Sequence, residues 1–464
     1  MSTRNLNLNE DDCFEIGGES LLPTPTSISG ADKQLGDQGS RPDEVLDDIR
    51  VRISTLLKAE TVSLLLGAGA SVCCGGQLIG SVPPAVEQKL YEQCEAEIGK
   101  QQVPQWLKVF YLAVRACGAQ NSPRTEEEIR ERLQRVSRNE ADKLNANFEK
   151  VLTQLYRWRS ALPEAGGRLQ IDQPLTLDTT ARDLDEALQH ATRALASTCV
   201  LPVVGKEDGL GYYRILLRKL LTRPLNLKRV NIFTLNYDTL VEQAADAEGI
   251  VLLDGFVGTL HRVFRPESYE QDLYFPAETT EGRVHRYDRV LHLYKLHGSI
   301  TWKACEPTID NPYGVQSVPF DPSGAESLLI YPTPAKYGET LGLPYSEMFR
   351  RFAASVVRPQ SVLIVIGYGF GDEHVNAIIR QALAVPSFIL LIATPSASSD
   401  FVKTLREQRD RRVWIAKGPS IGTFAGFVEY LLPDLRDEEI RKKVLETHRA
   451  LSKTMPLQGD SDGK

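Results

Sequence analysis

Six short apolar runs, each broken off by glycine or a polar turn, limit what this chain can fold into more than any other feature. They are Thr61–Leu66 (TVSLLL), Arg229–Leu235 (RVNIFTL), Val290–Lys295 (VLHLYK), Ser361–Ile366 (SVLIVI), Ser387–Ala393 (SFILLIA) and Val413–Lys417. Runs this short and rich in Val, Ile and Leu read as strands buried on both faces, because a buried helix needs more residues. Helical spacing appears between them: Val45, Ile49, Ile53 and Leu57 within Pro42–Ala59, then Thr239–Glu248 and a helix near His374–Leu383. Continuous apolar strands alternating with helices predict an α/β chain with a Rossmann-like parallel sheet covered on both faces.

From about Val86 to Thr222 the pattern changes. Thr125–Trp158 is charged, free of Pro and Gly and helical in period, and Asp183–Cys199 and Gly211–Leu221 look similar, with a loop near Pro163–Thr180 between them. Strand signals resume directly afterwards, so residues 86–222 read as a mostly helical inserted domain. Residues 42–85 and 223–450 then form the Rossmann-like domain. Residues 1–41, polar and poor in apolar side chains, read as a flexible arm, and 451–464 as a disordered tail. Glu128 and Arg132, at i,i+4 spacing, read as an ion pair on a solvated face.

Charge and cysteine usage narrow the function classes. The 464 residues carry 54 Lys plus Arg against 61 Asp plus Glu, a net charge of −7, which argues against broad nucleic-acid binding. The seven cysteines (13, 73, 74, 94, 117, 199 and 305) include no Cys-x-x-Cys pair, so no zinc module is readable and no metal site is expected. They read as free, mostly buried thiols in a reducing compartment. No apolar leader is present, and no run reaches the roughly 18–20 apolar residues that span a membrane. The expectation is a cytoplasmic protein with no membrane contact.

In an open parallel sheet, ligands bind beyond the carboxyl ends of the strands. Those ends carry the residues of interest here. Gly67-Ala68-Gly69-Ala70-Ser71 offers small residues and helix-start amides to a pyrophosphate, although Val72 stands where a third glycine would complete the dinucleotide fingerprint. The same residues also suit a tight structural turn. Asn236 and Asp238 follow a strand and can bond a ribose, a water or a carboxamide, or simply form an Asx turn opening the next helix. His297 follows another strand and precedes Gly298. An imidazole there can take a proton at neutral pH, though a lone histidine is also a common structural residue. Gly367-Tyr368-Gly369-Phe370-Gly371-Asp372 repeats the strand-to-glycine pattern, and His374 after it suits a helix start paired with carboxylates.

Taken in order, GAGAS (67–71), TLNYD (234–238), KLHGS (295–299) and GYGFGDEHVN (367–376) resemble the sirtuin-like NAD-consuming fold, and more closely its bacterial branch in antiphage defence. Asp254–Gly258 and the IYPTPAKYG…PY run at Ile330–Tyr345 fit the same branch. The resemblance spans roughly residues 60–400, weakly across the helical insert. It implies that Gly67, Ala68, Gly69 and Ser71 contact the NAD pyrophosphate and ribose. Asn236 would hold the nicotinamide ribose or the attacking water, Asp238 the nicotinamide carboxamide, and His297 would act as general base. Gly298 and Ser299 would bind the cofactor beside it. Gly367, Tyr368, Gly369 and Thr394 would contact phosphates and adenosine.

The resemblance also implies a substrate and partners. Protein-deacylating sirtuins carry a four-cysteine zinc module and a G-I-P-D-F-R type segment. Here the cysteine pattern is absent and Gly75–Pro83 reads GGQLIGSVP. That favours hydrolysis of NAD to ADP-ribose and nicotinamide by a defence effector. The alternatives are an NAD-dependent deacylase or ADP-ribosyltransferase, and a non-catalytic NAD or ADP-ribose sensor. A homo-oligomer is implied, with a separate partner such as a DNA-translocating, HerA-type ATPase or a phage trigger.

Overall fold

The computed structural model describes residues 8–22, 42–162, 168–171, 177–275, 285–321, 328–330 and 343–436. The tail 451–464, most of the Ile330–Tyr345 run and the remainder of the 1–41 arm lie outside these residues.

Nine strands form the main sheet: β1 (Cys13–Ile16), β2 (Glu19–Ser20), β3 (Thr61–Leu66), β4 (Asn231–Thr234), β5 (Val251–Leu253), β6 (Val290–Lys295), β7 (Ser361–Ile366), β8 (Ile389–Thr394) and β9 (Val413–Lys417). Their order is β2-β1-β9-β8-β7-β3-β4-β6-β5. All neighbours from β9 to β5 pair in parallel. The expected Rossmann-like α/β class is therefore present, with β3 and β7 buried along their whole length. Alternating side chains serve opposite faces. Leu64, Leu66, Ile364 and Ile366 pack with helices Pro42–Leu57 and Leu210–Leu220, while Leu65, Leu363 and Val365 pack with helices Tyr345–Val356 and Glu373–Leu383.

The structure corrects several expectations. Residues 8–22 are not a loose arm: β1 pairs antiparallel with β9, and Phe14 is fully buried. Glu15, also buried, is tied to this edge by Arg406 at 2.7 Å and Lys417 at 3.2 Å. Helix Leu210–Leu220 falls within the 86–222 block yet packs on the sheet core, whereas the helices from Val82 to Thr198 share a core of their own. Thr125–Trp158 is two helices, Glu126–Ser137 and Phe148–Ser160, capped by Thr125 and Asn147. Arg132 is buried and bonds Glu87 on another helix at 2.6 and 2.8 Å, so it is not half of a solvated pair with Glu128. Within the expected loop near 163–180, Arg168–Ile171 and Leu177–Thr180 pair as antiparallel strands.

A second sheet had no counterpart in the sequence reading. Its five antiparallel strands run in the order Leu328–Ile330, Gly298–Ala304, Val315–Ser317, Arg262–Phe264, Phe256–Val257. Only Leu296 and His297 separate β6 from the Gly298 strand, so His297 stands where the two sheets meet. All seven cysteines are free thiols. Among the described residues no helix is long and apolar enough to cross a membrane.

Candidate active site

Strand register brings the four motifs to one edge. Leu66 pairs with both Thr234 and Ile366, and Thr234 pairs with Lys295. The chain therefore leaves β3, β4, β6 and β7 at one level, entering Gly67, Leu235, Leu296 and Gly367. From β3 the chain continues to β4 on one side and reaches β7 later on the other, so the strand order reverses between β3 and β7. That is where an open α/β sheet forms its ligand crevice.

The two glycine loops touch at this crevice. A Cβ on Gly67 would lie 2.6 Å from the Gly367 oxygen and the Tyr368 Cα, and one on Gly69 would lie 2.8 Å from the Gly367 Cα. Gly367 has φ 67°, which favours glycine, and its own Cβ would meet the Ala70 nitrogen at 2.4 Å. The loop amides differ from expectation. Gly67 N donates to the Ile366 oxygen, Gly69 N to the Gly367 oxygen and Ala70 N to the Gly67 oxygen. These glycines thus serve loop-to-loop contact first, while Ala68 remains half-buried at the surface of the turn. A Cβ on Gly369 meets nothing within 4 Å, so that position faces open space.

A hydrogen-bonded chain crosses from the first loop to the turn after β4. Asn236 Nδ2 donates to the Gly67 carbonyl at 3.0 Å and to Ser71 Oγ at 2.9 Å, and Ser71 Oγ donates to Asp238 Oδ2 at 2.5 Å. A carbonyl can only accept, so the Asn236 amide nitrogen faces Gly67 and its Oδ1 is left as the acceptor for a ligand. Ser71 is buried, and its hydroxyl is spent between Asn236 and Asp238. Asp238 is buried too; Oδ1 accepts from the Leu240 amide at 3.1 Å. Burial pushes its carboxyl above the usual range, opposed by the Lys295 charge, the Ser71 hydroxyl and that amide. Ser71 and Asp238 thus hold Asn236 in a hydrogen-bonded chain.

His297 belongs to the neighbouring strand end. Asn236 and His297 each stand two residues beyond the paired Thr234 and Lys295. His297 Nε2 lies 3.0 Å from Asp372 Oδ2, and Asp372 Oδ1 caps helix Glu373–Leu383 by accepting from the His374 and Val375 amides. Burial raises the Asp372 carboxyl, but the His297 hydrogen bond and charge and the two amides outweigh it and hold the group below its usual range. An ionised carboxylate only accepts, so Nε2 carries a proton and donates it to Asp372. Glu149, in the first turn of helix Phe148–Ser160, is within charge reach of His297 and Asp372. Burial raises its carboxyl, the His297 charge works against that, and Asp372 adds to it. Its side chain is nonetheless open to water, as suits a residue on a cleft wall.

The other sequence candidates divide. Gly298 has φ 88° and lets the chain turn from β6 into the second sheet. Ser299 is fully buried, bonding Thr301 Oγ1 at 3.0 Å and the Tyr237 carbonyl at 3.5 Å, so its side chain is structural. The Tyr368 side chain is buried; its hydroxyl accepts from the Asp372 amide and stands 3.2 Å from Asn376 Oδ1, bracing the loop. Thr394 Oγ1 donates to the Ser396 carbonyl at 2.8 Å, closing the turn after β8. Sequence reasoning missed Lys295, Asp372 as the partner of His297, and Glu149. Asp372 and Lys295 lay inside quoted motifs, but Glu149 carried no local signal. Among the described residues no three His, Cys, Asp or Glu side chains are grouped to hold a metal ion.

The family model of the SIR2-like domain matches residues 230–413. The match takes in Asn236, Asp238, His297, Asp372 and the Gly367 loop, and begins after the Gly67–Ser71 turn. No curated protein matches the chain. SIR2-like domains are NAD-dependent enzymes, which fits an NAD-related activity here. The SIR2-like match thus covers the part of the chain that holds the ends of β4, β6 and β7, where the strand-end residues meet.

Proposed function

We propose that this chain is an NAD glycohydrolase, cleaving NAD to ADP-ribose and nicotinamide. The observation that carries the reading is the pairing of an oriented Asn236, held by Gly67 and Ser71, with the His297–Asp372 couple on the next strand end. Asn236 Oδ1 would accept a hydrogen bond from the attacking water or a ribose hydroxyl. His297 Nδ1 would take the water proton as its oxygen bonds to the ribose C1′. The C1′–N bond breaks, and its electron pair passes to the pyridinium nitrogen, so nicotinamide leaves neutral and needs no strong acid. Such a transition state is oxocarbenium-like, and the protein supplies orientation and a base. Asp372 would hold the imidazole in the right tautomer and stabilise it once protonated.

The lack of any Cys-x-x-Cys pair in the sequence favours hydrolysis over peptide deacylation. By resemblance alone, the activity would serve antiphage defence by NAD depletion, restrained by oligomerisation or by a partner such as a DNA-translocating ATPase. Incubation of the purified protein with NAD, with and without an acylated peptide, tests the reading. Nicotinamide released equally in both arms supports hydrolysis. Release only with peptide favours the deacylase, and NAD binding without release favours a sensor.

A further inference from the structure

Lys295 ends β6, an otherwise apolar strand, and is only 3% exposed. A buried ammonium is costly unless paired and hydrogen-bonded. Here Nζ donates to the Asp238 backbone carbonyl and to Glu242 Oε1 at 2.8 Å. Asp238 lies in the turn that carries Asn236, and Glu242 lies in the first turn of the following helix, Leu240–Glu248. The ammonium thus joins the strand end leading to His297 with both the turn and the helix of the Asn236 side.

We propose that Lys295 is a positioning residue of this site, pinning the Thr234–Asp238 turn to the β6 end so that Asn236 and His297 keep their mutual geometry. The inference rests on the NAD reading above. The electrostatics agree with it. The Lys295 charge counters the burial that raises the Asp238 carboxyl, while Glu242 pushes that carboxyl further up. The other titratable groups around Asp238 are Cys73, Cys74, Cys199 and Tyr213. Hydrogen bonding to Cys73 and burial raise Cys74, and burial raises Cys199 to about 12 and Tyr213 well above its usual range, so all three stay neutral near pH 7. The Cys74 hydrogen bond draws Cys73 down from its ordinary thiol value, so the acidic limb of a pH profile is the one to read.

The test compares Lys295→Met and Glu242→Gln with the wild-type full chain, following nicotinamide release and NAD binding by calorimetry from pH 4.5 to 8. Lys295→Met should lower kcat by about tenfold or more with KM within about threefold, the split of an orienting group. Its acidic limb should move to higher pH, because Asp238 protonates more readily without the ammonium. Glu242→Gln should move the limb to lower pH, since a like charge is gone. A fall in kcat with KM kept, together with shifts of opposite sign, supports the proposal; an unchanged kcat or superimposed profiles overturn it. If Lys295→Met does not fold, Glu242→Gln decides: a fall in kcat with KM kept and a downward shift support the proposal, and an unchanged kcat overturns it. If wild type binds NAD without releasing nicotinamide, the hydrolase reading fails, and the same opposite shifts are sought in NAD affinity. A wild type that neither binds nor cleaves NAD overturns both.

Discussion

His297 and Asp372 lie 75 residues apart in sequence, yet Nε2 and Oδ2 are 3.0 Å from one another, and the same Asp372 side chain caps the helix after the second glycine loop. One carboxylate therefore orients the His297 imidazole and starts the helix.

That double duty separates two variants. Asn caps a helix about as well as Asp but cannot carry the charge, so Asp372→Asn should cost less stability than Asp372→Ala, which loses the cap as well and should cost about 1 kcal/mol or more. Both should lower kcat by about 100-fold, the lower end of what a general base supplies. Thermal unfolding beside nicotinamide-release kinetics checks the split. The sign of the pH dependence follows from the lowered Asp372 carboxyl. Its stabilising effect is present above about pH 4, the ordinary carboxyl range, and fades as pH falls through the lower folded value. The stability gap between wild type and Asp372→Ala should narrow below pH 4.

The glycines should behave differently from one another. Gly67→Ala forces a Cβ to 2.6 Å from backbone atoms of the facing loop and should cost about 1–3 kcal/mol. Gly369→Ala meets nothing within 4 Å and should change stability by less than about 0.5 kcal/mol. If NAD crosses that open surface, Gly369→Ala raises KM without lowering the melting temperature. Melting curves and KM for both variants make the comparison.

Ser71→Ala removes both the acceptor for Asn236 Nδ2 and a donor to buried Asp238. Leaving such groups unmet costs about 1–3 kcal/mol. The Asn236 amide also loses its second anchor, so kcat should fall more than KM rises. Denaturant melts and steady-state kinetics measure the two effects.

Glu149 reports whether the helical insert belongs to the site. It stands within charge reach of His297 and Asp372. Glu149→Gln should therefore change kcat by about twofold or more, while a residue outside the site would leave kcat unchanged. Steady-state kinetics of that single variant at one pH suffice.

The sequence made β3, β6, β7 and β9 legible to the residue, because strands buried on both faces read as unbroken apolar runs. The second sheet escaped because strands such as Arg262–Phe264 and Val315–Ser317 are too short and mixed to show a period. Strand β1 escaped because it carries Glu15, whose burial makes sense only with Arg406 and Lys417 beside it. The site followed the same rule. Asn236 and His297 were visible as polar residues at strand ends. The partners that orient them, Ser71, Asp372 and Lys295, became visible as such only once strand register had aligned the loops, and Glu149 arrives from a separate helical core.

The central claim is that Asn236 and His297 work together to hydrolyse NAD. The most direct measurement is the time course of nicotinamide and ADP-ribose from NAD with wild type, Asn236→Ala and His297→Ala, each shown to be folded. The account predicts equimolar products from wild type and a loss of at least about 100-fold in either variant. Undiminished nicotinamide release from both variants would contradict it.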